Sequence, residues 1–151
     1  MADSIIWLIH LATVGFMTGL IWLIQVVQYP LFLSVGPREF PEFHRLHSQW
    51  ITPVVGPVMA LELVSAMGLV ASQAGPDSIS VLERWFLLAL TLVVFGVTAF
   101  VSVPLHNRLS SLGPNPEVIR ALIRTNWVRT WVWTLHAALA FYGTFRLIRS
   151  E

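Results

Sequence analysis

From about Ile5 to Gln28 the chain runs as one apolar stretch without a charged side chain. As a helix rising 1.5 Å per residue, it is long enough to cross a hydrocarbon core of roughly 30 Å. That feature narrows the fold sharply, because within lipid only helices and closed barrels satisfy their backbone hydrogen bonds. Similar stretches recur at about 51–72, 81–103 and 127–146. Composition agrees: 56% of the 151 residues are hydrophobic and only 11% charged, against about 25% charged in soluble domains. The expected fold is all-α, a four-helix transmembrane bundle making one integral membrane domain over residues 1–151.

The same composition excludes several function classes. A net charge of +1 offers no basic face for phosphates, so the expected partner is the lipid bilayer and not nucleic acid. The absence of cysteine removes disulfides, thiolate ligands and a cysteine nucleophile. The start MADSIIW lacks a basic region, and the apolar run behind it is too long for a signal-peptide core, so it reads as a first helix. Arg38, Arg45, Arg108, Arg120, Arg124 and Arg129 fall on the side of the two long loops. Arg84, Arg146 and Arg149 fall on the side of the termini. The positive-inside bias then puts both termini outside.

Punctuation sets the expected helix ends. Asp3 or Ser4 suits the first cap. Pro30 and Pro104 are expected to stop or kink helices one and three. Pro53, Gly56 and Pro57 should make the first turns of helix two irregular. Ahead of them, Pro41-Glu42 opens a short amphipathic helix that sets Phe40, Phe43, Leu46, His47 and Trp50 at helical spacing. Gly75, Pro76, Asp77 and Ser78 read as a turn, and Pro116-Glu117 as another helix start. Trp127, Trp131 and Trp133 read as an interfacial aromatic belt, and Arg129 as snorkelling to the surface. Gly15 and Gly19 form a small-residue face, open to internal packing or to a homo-oligomer contact.

Against this apolar background the polar residues carry the information. His44 and His47, three apart, share a helix face, and His106 from the end of helix three makes a three-histidine set suited to zinc, copper or iron. Glu62 is a fourth metal ligand or a general base if the broken start of helix two tilts it toward them. By helix depth, Glu62 and His136 both lie near the midplane, where an ionised carboxylate costs at least about 2.5 kcal/mol and seeks an internal partner. That makes them a candidate proton-transfer pair. His10 is a candidate haem ligand, with Gly19 nine residues on making room for a porphyrin. Asn126 and Arg129 are candidates for orienting a substrate.

At HNRL (residues 106–109), NWVRT (126–130) and YPLF (29–32) the chain resembles the anthrone oxygenase-like family of small four-helix membrane proteins, mostly bacterial. The resemblance implies oxidation of a polycyclic phenol to a quinone by dioxygen, with matching residues at Asn107, Arg108, Trp127 and Arg129, and an inner-membrane location. FHRLH and Glu62 lie outside that pattern. The first helix is also similar to those of membrane-bound protoporphyrinogen oxidase and copper-resistance membrane proteins, which implies haem or copper at His10. The reading that follows is a membrane-embedded oxidoreductase acting on a lipophilic aromatic or quinone-like small molecule. Its catalytic residues would be Glu62, His136, Arg129 and Asn126, its metal ligands His44, His47, His106 and Glu62. The alternatives are a non-catalytic haem- or metal-binding protein, and an accessory subunit or small transporter whose histidines only stabilise packing.

Overall fold

A computed structural model describes residues 2–71 and 79–150; the turn expected at Gly75–Ser78 lies outside them. The first rod is α1 (Ala2–Leu23), a π-helical turn Ile24–Gln28, α2 (Tyr29–Leu31) and a 3₁₀ turn Phe32–Ser34. The second is α3 (Phe40–Ala71). The third joins α4 (Val81–Val97), a π turn Thr98–Ser102 and α5 (Val103–Leu112), and the fourth is α6 (Pro116–Ser150). α1 packs on α3 and α6, and α4 packs on the same two helices, so the four rods form a closed square.

The proline expectations are corrected in a consistent way. Pro30 and Pro104 do not end their rods. Each sits in the first two positions of the helix that follows a π turn, where the wider turn has already broken the regular ladder and a missing N–H costs little. Pro53 and Pro57 lie inside α3, which continues unbroken from the expected amphipathic segment through the expected span. A bundle can absorb proline because neighbouring groups satisfy freed carbonyls. At 32 residues, α3 is about 48 Å long, so its first turns reach beyond a hydrocarbon core of roughly 30 Å. α1 already runs at Ala2, upstream of the Asp3–Ser4 cap.

Local capping is clear at the other ends. Ser80 and Glu83 form a reciprocal capping box on α4. Asn115 Oδ1 accepts from the backbone N–H groups of Glu117 and Val118 to open α6. Gly113 closes α5 with φ 71° and ψ −154°, a region open essentially to glycine alone. A Cβ there meets nothing within 4 Å, so the penalty for Gly113→Ala is one of backbone conformation. We expect a loss of about 1–3 kcal/mol in detergent unfolding; an unchanged midpoint would mean the loop relaxes freely.

Three helical segments, Ser4–Ser34, Phe40–Ala71 and Val81–Leu112, are long and apolar enough to cross a membrane, which supports an integral membrane location. α6 has the length but not the hydropathy, since Arg120, Arg124, Arg129 and Arg146 punctuate it. The outer surface is apolar: Leu8, Phe16, Val64, Leu92 and Phe100 are exposed, whereas His10, Glu62, Thr91, Asn126, Arg129 and His136 are buried. The polar groups face inward, as lipid requires. Two apolar clusters make the core, one around Met17, Met59, Val94 and Trp133, the other around Trp7, Leu69, Leu87 and Ala140.

Candidate functional site

On every rod a polar residue separates the two apolar clusters: His10 in α1, Glu62 in α3, Thr91 in α4 and His136 in α6, each 0% exposed. Trp133 Nε1–H donates to both Glu62 oxygens, at 3.0 and 3.2 Å. His136 Nδ1 lies 3.4 Å from Glu62 Oε1, with the ring angled so that no regular hydrogen bond forms. His136 Nε2 meets His10 Nε2 at 3.0 Å, and His10 Nδ1 meets Ser65 Oγ at 3.0 Å. The Ser65 hydroxyl in turn donates to the Glu62 carbonyl at 2.9 Å. With that donation fixed, His10 Nδ1–H donates to Ser65 and His136 Nε2–H donates to His10. His136 Nδ1 is then a bare acceptor facing the Glu62 carboxyl, which supplies the proton between them. This assignment leaves no net charge at the dry centre of the bundle.

The expected Glu62/His136 pair is therefore together, and His10 joins it. The haem reading of His10 loses its geometry. Its Nε2 is taken by His136, and Gly19, nine residues or half a rotation away, sits exposed on the outer face. Trp133 is corrected too: it is wholly buried, not an interfacial anchor, while Trp127 and Trp131 stay at the surface. Nothing in residue type separates Trp133 from its neighbours; only its phase on α6, three residues before His136, could have shown it.

A second polar group lies about 10 Å along α6, around Arg129. The guanidinium does not snorkel. It is 5% exposed and donates to Thr98 Oγ1 and Tyr29 OH at 3.2 Å each, and to Asn126 Oδ1 from Nε at 3.0 Å and from Nη2. Asn126 Nδ2–H donates to Gln25 Oε1 at 2.8 Å. Because Tyr29 OH accepts from Arg129, its own proton points to His106 Nε2 at 3.1 Å. His106 Nδ1–H then donates to His44 Nε2 at 3.0 Å, and His44 Nδ1–H to the exposed Ser110 Oγ at 3.4 Å. The result is a directed hydrogen-bond path from Tyr29 to the surface.

His44, His47 and His106 do assemble, their rings stacked 5.3 and 5.6 Å apart around His106. Glu62 does not join them, since the continuous α3 puts it about 27 Å along the axis from His44. Among the described residues no group of three or more His, Cys, Asp or Glu has a geometry that could hold a metal ion.

Between the two polar groups lies a cavity of about 220 Å³. Tyr29, His47, His106 and Arg129 line one end, Met59 and Trp133 the other, and Met17, Ile21 and Val55 the walls. Both π turns contribute to it, through Ile24 on one and Thr98 and Ser102 on the other. π turns often mark functional sites. Ile24, His47 and Ile51 also line an apolar groove of about 430 Å³ on the outside, so the two share a wall, and the exposed Thr52, Gly56 and Val103 border the cavity as well. Asn107 and Arg108 are exposed and away from it. Tyr29, Thr98, Ser102 and Trp133 line the cavity and carry polar atoms, and the sequence alone points to none of them as a site residue.

Comparison with protein families, with curated proteins and with solved structures finds no match.

Proposed function

We propose that the protein is a membrane-embedded oxidoreductase that takes a lipophilic phenol or anthrone-like aromatic from the bilayer and oxidises it with dioxygen. The observation that carries this reading is the cavity itself: apolar walls converging on one cation and a proton path. Largely apolar pockets with a few convergent polar groups are the usual form of small-molecule sites. At about 220 Å³ this one is smaller than drug-sized pockets of roughly 300–1,000 Å³, which suits a compact aromatic head group. The shared wall of Ile24, His47 and Ile51 supports arrival from the lipid side. The NWVRT resemblance to anthrone oxygenase-like proteins supports the reaction class, since its Arg129 lines the cavity.

In this reading Arg129 holds the substrate oxygen as it gains negative charge, the usual strength of a fixed donor in a dry site. Asn126 is a positioning residue, held by Gln25 and holding Arg129 in turn. The proton lost from the substrate leaves through Tyr29, His106 and His44 toward Ser110. Glu62 and His136 fix the indole of Trp133 that forms the far wall. The overall reaction balances with dioxygen as oxidant: the anthrone methylene becomes a carbonyl, one oxygen atom enters the product, and the other leaves as water with the two hydrogens.

Protein in lipid nanodiscs, given anthrone, should consume one dioxygen per anthraquinone formed, well above protein-free nanodiscs. If neither anthrone nor a naphthohydroquinone is oxidised faster than in the blank, the oxidoreductase reading is lost.

A further inference from the structure

Arg129 is a buried cation whose partners are all neutral. Tyr29, Thr98 and Asn126 take four of its five N–H donors, leaving one on Nη1. The ion pairs among the described residues join Arg45 to Glu42 and Arg146 to Glu83, and the one further carboxylate contact, Glu62 with His136, is the neutral pair; none involves Arg129. An uncompensated charge in a low-dielectric interior is costly, and here it borders a cavity. A second observation points into the same space. Ser102 is one of the residues around the cavity and is 3% exposed, and its Oγ is buried with no hydrogen-bond partner. Buried hydroxyls are normally paired. Ser102 closes the π turn that begins at Thr98, and Thr98 is the residue that holds Arg129 Nη1. The residues that carry the free donor and the unpaired hydroxyl therefore line one pocket from adjoining positions.

We infer that the ligand binds as an anion with two oxygens: a phenolate or enolate oxygen on the free Nη1–H of Arg129, and a second oxygen on the Ser102 hydroxyl. The ligand class is an acidic hydroxyquinone or a phenol that ionises on binding. This rests on the reading of the cavity as a substrate site and adds charge state and orientation to it. Tyr29 contributes no charge and keeps its proton directed at His106, so the guanidinium is the cation that neutralises the ligand.

The test compares hydroxynaphthoquinone, ionised at neutral pH, with its uncharged methyl ether, by quenching of tryptophan fluorescence in nanodiscs. Wild-type protein should bind the anion at least about tenfold tighter than the ether, the usual worth of a charged hydrogen bond. Arg129→Gln should erase that preference. Ser102→Ala should weaken binding of the anion about threefold to tenfold without lowering the unfolding midpoint, because no hydrogen bond of the free protein is lost. Equal binding of anion and ether by the wild type, or a preference that survives Arg129→Gln, overturns the inference and leaves the cavity as a site for neutral ligands. Binding of neither compound fails the cavity reading itself. Should Arg129→Gln not fold, the wild-type comparison and Ser102→Ala still decide.

Discussion

Glu62→Ala is expected to lower stability by roughly 2–4 kcal/mol, because it leaves two buried neutral polar groups without a partner at about 1–3 kcal/mol each, whereas Glu62→Gln should stay within about 1 kcal/mol of the wild type. The alanine leaves Trp133 Nε1–H and His136 Nδ1 facing an empty space at the centre of the bundle. Glutamine keeps both roles, its carbonyl accepting from Trp133 and its amide donating to His136. Unfolding in detergent, followed by tryptophan fluorescence, measures the difference. Equal losses for the two variants would mean that charge, not hydrogen bonding, holds Glu62 and His136 together. The contrast matters for function because Trp133 forms a wall of the cavity, and the Glu62 carboxyl fixes its indole.

How far the sequence foretold this arrangement depended on which physical cue each residue carried. Glu62 and His136 were matched by depth alone, because helix rise converts residue number into height. Their third partner, His10, reads from the sequence as a haem ligand and not as a member of this group. Depth counted from helix ends places it nearer the termini, and the face it occupies follows only from the packing of α1 on α6. Arg129 reads as snorkelling because it lies near the start of an expected span. In the fold α6 begins at Pro116, more than a dozen residues earlier, so Arg129 sits well inside the helix. His44, His47 and His106 share one end of the bundle by helix position, and their rings lie together there. Their joining with Glu62 required a break at Pro53–Pro57, and a proline inside a helix does not say whether neighbours will bridge it. The π turns were not legible at all. Proline after each apolar run signals a stop or a kink but not a widened turn, whereas in the structure Pro30 and Pro104 each follow a π turn and carry the rod on, and those two turns line the cavity.

Arg129→Lys and Asn126→Asp should each reduce kcat/KM for anthrone about 100-fold, comparable to loss of one fixed donor at an oxyanion, while the unfolding midpoint moves only a few degrees. The two variants fail for opposite reasons. Lysine keeps the positive charge but replaces a planar fork with a single ammonium. It cannot reach Thr98, Tyr29 and Asn126 together, as the guanidinium does, so no donor stays aimed at the cavity. Aspartate at position 126 keeps an acceptor for Arg129 in place but brings a negative charge against it. The guanidinium is then neutralised within the protein, and an anionic transition state gains little from it. KM and kcat separate the causes. A substrate bound as an anion in the ground state should show raised KM in Asn126→Asp. Charge that develops only in the transition state should appear as lowered kcat at unchanged KM. If both variants oxidise anthrone at the wild-type rate, Arg129 is a structural cation and the chemistry lies elsewhere in the cavity.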